Sequence, residues 1–333
     1  MNSMSNQILV LASRDVEQLL PMHECIEVMS KALSALARGE VYQPLRTVHR
    51  PHDSRGLMAL MPAFHAGDTS AYGLKTVCVF PDNPAQGKDS HQGSVTLFSG
   101  DTGELLAIMN ASAITALRTA AVSAVATRLL AREDACDLVI IGSGVQARTH
   151  LKALSCVRAV KRARVVSRNP AHSLRFVNEM QDKFSFLIEA VDSVEEALHG
   201  ADLIVTATTA REPVINSQWL SAGAHINAVG TYSPQAREID SATMALASIF
   251  VDRLESALNE AGDYLLALKE GIITADSIKG EIGELLEGEK EGRTSADEIT
   301  LFKSLGLAIE DLACAEYLFV KAQAKKVGTW VEF

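Results

Sequence analysis

Leu138-Val139-Ile140-Ile141-Gly142-Ser143-Gly144-Val145-Gln146-Ala147 is the stretch whose reading decides the fold. The apolar run Leu138 to Ile141 has the length of a buried strand. It flows into a G-x-G-x-x-A turn, and a helical pattern follows from about Gln146 to Leu154. A second strand, Arg164-Val165-Val166-Ser167, comes next. Strand, turn, helix and strand in this order are what a dinucleotide-binding turn requires; small residues filling an ordinary turn are the alternative. In the first reading Gly142 permits the tight turn, Gly144 lets a pyrophosphate approach the backbone, and Ala147 lets the helix pack close. The amides around Ser143, Val145 and Gln146, with the positive end of the helix, then face the phosphates.

The end of the second strand bears on which dinucleotide binds. About 20 residues beyond the glycines, an NAD site places Asp or Glu on the ribose, and an NADP site places Arg and small polar groups at the 2′-phosphate. Here the residues are Ser167-Arg168-Asn169-Pro170, with no carboxylate. Arg168 can pair a phosphate in a fork geometry, so NADPH is favoured over NADH. A solvated turn residue is the alternative for Arg168.

Working outward, 333 residues suffice for two domains, and 47% hydrophobic content can fill sizeable cores. A net charge of −10 argues against a nucleic-acid partner. No apolar run is expected to reach the roughly 20 residues of a membrane span. The polar stretch 1–7 has no apolar signal core. Five scattered cysteines without a C-x-x-C pair suggest reduced thiols in a cytoplasmic protein and no zinc site.

Downstream of the turn, helix and strand alternate. Strands are expected at 186–190, 202–208, 225–230 and 248–252, with helices at 173–184 and 193–199. Such alternation implies a parallel sheet with right-handed crossovers. Ligands sit beyond the carboxyl ends of its strands, which puts Thr206, Ala207, Thr208, Val229 and Gly230 beside the cofactor. Upstream, residues 41–109 read as short, mostly antiparallel strands, with a hairpin around Asp101-Thr102-Gly103. Ile8 to Ala12 reads as a strand, Ser13 as a helix cap, and Met22 to Arg38 as a packing helix. Ala111 to Leu130 is a long Ala-rich helix bridging the two domains. Residues 281–298 read as a solvated loop, and 298–320 as a final helix interrupted by Gly306. That glycine and Ser304 are expected beside the cofactor. The fold class is therefore α/β: a Rossmann-like parallel-sheet NADP domain over 119–310, and an α+β domain from 1–118 with 311–333.

Three cations of the first half, Arg46, Lys75 and Arg118, lie in apolar surroundings. A cation there is paired or functional. Together they can hold a carboxylate by bidentate arginine contacts while Lys75 donates. Each taken singly fits an ordinary ion pair equally well.

The chain resembles the ornithine cyclodeaminase/mu-crystallin family. The resemblance rests on Tyr72-Gly73-Leu74-Lys75, His91-Gln92-Gly93, Thr115 to Ala121, Ile141 to Ala147, Asn227 to Gly230 with Arg237 to Asp240, and Lys303 to Ala308 with Glu310-Asp311. It implies a homodimer in which the α+β domain binds substrate and dimerises. It implies that Arg46, Lys75 and Arg118 are substrate-carboxylate and catalytic positions, with Lys75 catalytic. Thr119 would contact pyrophosphate, and Arg118 would also face the cofactor. Two departures narrow the activity. Cyclodeaminases carry an Asp at the position of Tyr232 and a Glu at the position of Ala59, and both carboxylates serve a diamine substrate. Without them the resemblance points to reduction of a cyclic imino acid with NADPH: Δ1-pyrroline-2-carboxylate to L-proline, or Δ1-piperideine-2-carboxylate to L-pipecolate. His91, Thr231 and Tyr232 are candidates to line the substrate pocket; packing and a dimer contact are their bland alternatives. Amino-acid dehydrogenase, ornithine cyclodeaminase and a non-catalytic NADPH-dependent binding protein are the other activities in view.

Overall fold

The structure is a computed structural model describing residues 7–67 and 69–333. The polar N-terminal stretch, up to residue 6, lies outside the described residues. In chain order the elements of the first part are β1 (Gln7–Leu11), α1 (Ser13–Leu19), α2 (Met22–Ala37), β2 (Val41–Tyr42), β3 (Thr47–His49), β4 (Leu57–His65), β5 (Ala71–Val79), β6 (His91–Ser99), β7 (Leu105–Asn110) and α3 (Ala111–Leu130). Then come β8 (Asp137–Ile141), α4 (Val145–Val157), β9 (Arg162–Val166), α5 (Pro170–Met180), β10 (Leu187–Ala190), α6 (Val194–Leu198), β11 (Leu203–Thr206) and β12 (His225–Ala228). The remainder is α7 (Ser241–Leu246), β13 (Ser248–Val251), α8 (Leu254–Glu260), α9 (Gly262–Lys269), β14 (Ile278–Glu281), α10 (Ile282–Leu286), β15 (Thr300–Lys303), α11 (Ala308–Lys325) and β16 (Thr329–Glu332).

The chain divides into two compact units. One ends at Arg118 and resumes at Leu307–Phe333; the other is Thr119–Gly306. The second crossing thus falls ahead of the expected 310/311. Asp252 Oδ2 accepts the amides of Leu305 (2.6 Å) and Gly306 (2.8 Å), which ties those residues to the parallel sheet.

In the first unit one sheet runs β16-β1-β7-β6-β5-β4-β2, with β3 paired to β4. Its long pairs β4–β5–β6–β7 are antiparallel, and β1–β7 is parallel. Period-two alternation puts Ala71, Gly73, Lys75 and Val77 on one face, all buried. Helix α11 packs on that side of the sheet, along β4, β5 and β6. The other face presents Tyr42, Met58, Phe64 and Tyr72, the last two in ring contact at 4.6 Å. Two local expectations change here. Arg46 precedes β3 rather than sitting in a strand. Ala12, not Ser13, caps α1, and Asp15 accepts the Ala12 amide.

In the second unit the sheet β10-β9-β8-β11-β12-β15-β13-β14 is parallel throughout. Its central strands are buried on both faces, which explains their continuous apolar runs. The largest correction lies here. Residues 298–320 are not one helix: Thr300–Lys303 is a fully buried strand between β12 and β13, and the helix begins at Ala308. Gly306 stands in the connection with φ +80°, a left-handed conformation suited to glycine. A four-residue segment such as Thr300-Leu301-Phe302-Lys303 has no periodicity long enough to separate strand from helix. Residues 281–298 likewise carry α10, whose Ile282, Gly283 and Leu285 are buried. The bridging helix α3 has the length and composition of a membrane span, contrary to expectation. Its apolar window has mean hydropathy 1.3 and is 72% buried in the protein, as in a core helix.

Candidate functional site

The candidate residues form two constellations, one in each unit. In the first, β5 aims Lys75 at the start of α11, where Glu310 and Asp311 occupy the first turn. Carboxylates are favoured at a helix N-terminus. The same turn is anchored by Gln43, whose Oε1 accepts the Ile309 amide at 2.9 Å. Both acids are buried, so they need cationic partners. Lys75 Nζ donates to Asp311 Oδ2 at 2.7 Å. Arg118 Nη1 donates to Glu310 Oε2 at 2.6 Å, and its Nε to Asp311 Oδ1 at 3.4 Å. Burial pulls the Lys75 pKa down to about 8, Asp311 holds it up, and the charges of Arg118 and Arg46 push it lower. His91 stands nearby with its pKa lowered, first by burial and then by the Lys75 and Arg118 charges. Its Nδ1 is 3.0 Å from Ser90 Oγ, and its carbonyl accepts from Ser112 Oγ. Arg46, Lys75, His91 and Arg118 are thus brought together electrostatically, and Glu310 and Asp311, noted only within the resemblance, are the acids that organise them.

The second constellation lies at the carboxyl ends of β8, β9, β11 and β12. Gly142 turns the chain with φ +119° and donates its amide to Val166 O at 2.8 Å. A Cβ there would lie 2.4 Å from Ala207 O. Gly144 caps α4, is exposed, and a Cβ there would meet nothing within 4 Å. Open space over a helix N-terminus without acids in its first turn fits a pyrophosphate. Arg148, which the sequence reading passed over, braces this turn. It donates to the carbonyls of Ser143 and Gly144, pairs with Glu179, and lies 5.3 Å from the Phe176 ring. Val145 is exposed, and the Gln146 carbonyl accepts from His150 Nδ1. Arg168 and Asn169 are exposed at the end of β9, where the Asn169 side chain caps α5 and Ser167 Oγ bonds Asn169 O. Thr119 is buried in α3, and Ser304 is buried with its amide on Ala228 O.

Several candidates prove to be held by a network that sequence reasoning missed. Glu238 accepts Thr206 Oγ1 (2.8 Å), Thr208 N and Oγ1 (2.7 Å each) and Gly230 N (2.7 Å). Asp263 accepts Thr231 Oγ1 (2.9 Å) and the amides of Glu238 (2.7 Å) and Ile239 (2.9 Å). Lys303 Nζ lies 2.9 Å from Asp263 Oδ2 and donates to Thr231 O at 2.7 Å. Glu238, Asp263 and Lys303 are all fully buried. The Thr231 hydroxyl is therefore engaged inside this network, and Tyr232 beside it is exposed. Both lie in the unit that does not contain Lys75. Glu238 and Lys303 appear in the sequence only within segments of the family resemblance, and Asp263 carries no signal at all.

A family model described as the ornithine cyclodeaminase/mu-crystallin family matches residues 6–326. The chain is 38% identical over 327 residues to a Δ1-pyrroline-2-carboxylate reductase of Bacillus cereus, covering 98% of this chain and 100% of that one. It is 39% identical over 281 residues to the ketimine reductase mu-crystallin of Mus musculus, with 84% and 85% covered. The solved Δ1-pyrroline-2-carboxylate reductase of Thermococcus litoralis, in complex with NADH and L-proline, superposes with a TM-score of 0.94 at 42% identity, covering 97% of this chain and 99% of that one. With a match that runs almost from end to end, this chain belongs to the ornithine cyclodeaminase/mu-crystallin family.

Proposed function

We propose that this protein reduces cyclic imino acids, Δ1-pyrroline-2-carboxylate foremost, with a nicotinamide dinucleotide. The observation that carries the reading is the buried Lys75–Asp311–Arg118–Glu310 cluster. Lys75 and Arg118 are held by Asp311 and Glu310, and the Arg46 charge lies near enough to push the Lys75 pKa down, a cationic setting suited to a substrate carboxylate. Neither Ala59 nor Tyr232 offers a carboxylate to a second amine, which favours an imino acid over a diamine. The Bacillus and Thermococcus relatives, named as reductases of this substrate, support the same choice.

The dinucleotide, when bound, supplies the hydride. The turn from Gly142 to Gln146 would hold its pyrophosphate, and Ser167, Arg168 and Asn169 its adenine ribose. Arg118, fixed by Glu310 and Asp311, presents a preset guanidinium to the substrate carboxylate with Arg46, giving proximity and orientation. Lys75 is an ammonium at neutral pH with a proton held loosely enough to share. It keeps the imine nitrogen protonated, which makes the neighbouring carbon electrophilic.

NADPH is the preferred form in this reading, because Arg168 replaces a carboxylate at the end of β9. A homodimer is part of it as well, supported by the apolar sheet face of Tyr42, Met58, Phe64 and Tyr72, since faces of this kind mark association surfaces. A cytoplasmic setting fits the five free cysteines. The direct test follows NADPH oxidation with Δ1-pyrroline-2-carboxylate, beside NADH and L-ornithine. Turnover of the imine with silence toward ornithine is expected. Ammonia and proline formed from ornithine would overturn the argument from Ala59 and Tyr232.

A further inference from the structure

Beyond the residues that would touch substrate or cofactor, we infer that Glu238 is a positioning residue for the nicotinamide half of the dinucleotide, holding the ends of β11 and β12 in one frame. The inference rests on the dinucleotide reading above. In a doubly wound sheet the glycine turn after the first strand takes the pyrophosphate, and the end of the next strand takes the adenine ribose. Here those are the ends of β8 and β9. Since β9 and β11 flank β8 on opposite sides, the other half of the dinucleotide runs over β11 and β12.

Glu238 bridges those two strand ends with one carboxylate. Its Oε1 takes the amide and hydroxyl of Thr208, and its Oε2 takes the Thr206 hydroxyl and the Gly230 amide. Each bond is 2.7–2.8 Å, the length of charge-assisted contacts. The carboxylate does not stand alone. Asp263 accepts the amide of Glu238 itself, and Lys303 from β15 ties Asp263 to the carbonyl of Thr231. The connections after β11 and β12 therefore share an anchor that lies below the ligand surface and is sealed from water. The glycine turn and the end of β9 receive none of these bonds from Glu238 among the described residues.

Glu238→Gln tests this with the shape kept. A glutamine amide puts two donors where two of the four incoming donors now point. The reduced-nicotinamide fluorescence of bound NADPH should lose its shift on binding, and kcat for the imine should fall about a hundredfold, the effect of a misplacement of about 1 Å. Affinity for 2′,5′-ADP, measured by calorimetry, should stay within about twofold, because the turn that grips phosphate is untouched. Thr206→Val, which removes one of the four bonds, should move the same readouts in the same direction by less, and covers the case in which Glu238→Gln does not fold. Unchanged fluorescence and kcat in a folded variant would overturn the inference, and so would equal loss of 2′,5′-ADP and NADPH binding, the mark of a purely structural role. Failure of the wild-type protein to bind either NADPH or NADH would strike the dinucleotide reading instead.

Discussion

Lys75 concentrates the chemistry at the scale of single residues. Burial costs an ammonium solvation, and the residue stays useful because Asp311 lies 2.7 Å away. With its pKa near 8, the protonated form falls away as pH rises, so kcat/KM for the imine should decline above about pH 8. Asp311→Asn removes the charge that holds the proton, and should move that alkaline limb down by about one to three pH units. A limb that does not move would separate Lys75 from the protonation step. Lys75→Met should abolish the limb together with most turnover, and unchanged turnover in a folded variant would remove Lys75 from the mechanism. At the other constellation, Arg168→Ala should weaken NADPH about tenfold or more while leaving NADH nearly unchanged, as expected for a lost charged contact. Equal loss for both would refute the 2′-phosphate assignment. Arg46, Lys75 and Arg118 could be picked from the sequence as cations in apolar surroundings, and Arg168 from its place at the end of the second strand. Their partners could not be derived from spacing: Asp311 is 236 positions from Lys75.

At the scale of elements, β15 carries the sharpest lesson. Thr300–Lys303 is flanked by parallel neighbours on both sides, and its lysine sits inside the sheet against Asp263. Burial pushes the Asp263 carboxyl up, but Lys303 and the amides of Ile239 and Glu238 hold it below its ordinary value. Lys303→Met should leave that carboxylate without its counter-charge and destabilise the protein by about 3–5 kcal/mol. The double variant with Asp263→Asn should recover part of the loss. Denaturant titration reads both, and an additive double variant would show that the two side chains are not coupled. The strand–turn–helix of β8 and α4 was legible at once, because a tight glycine turn after an apolar run is a local signal. The strand β15 was not, because the forces that extend it are the ladders of β12 and β13.

At the scale of the whole molecule, buried histidines set the acid limit. Burial holds His150 to a pKa of about 4, and His225 to about 3 with help from the Arg293 charge. Both folded values lie below the unfolded value near 6.5. As pH falls through 6.5 the unfolded chain takes up protons first, so stability is lost progressively toward pH 4 for His150 and pH 3 for His225. At pH 5 each should cost on the order of 2 kcal/mol relative to pH 7.5. His225→Gln should flatten its share of the slope. A denaturation midpoint that does not change between pH 7.5 and 5 would contradict this. His225 Nδ1 is 2.9 Å from Thr300 Oγ1, and His150 Nε2 is 2.9 Å from Ser123 Oγ, so both rings are bound as neutral groups inside the parallel-sheet unit.

By itself the sequence determined the α/β architecture, the nucleotide turn, the long α3 helix and the cations to watch. These follow from local period, glycine placement and residue type, which act over a few positions. The tertiary structure decided that 298–320 is a strand, a turn and a helix, that Glu310 and Asp311 organise Lys75 and Arg118, and that Glu238, Asp263 and Lys303 sit buried together. A charged side chain reads alike whether it meets water or an opposite charge. Only the packing of distant segments removes the water and supplies the partner.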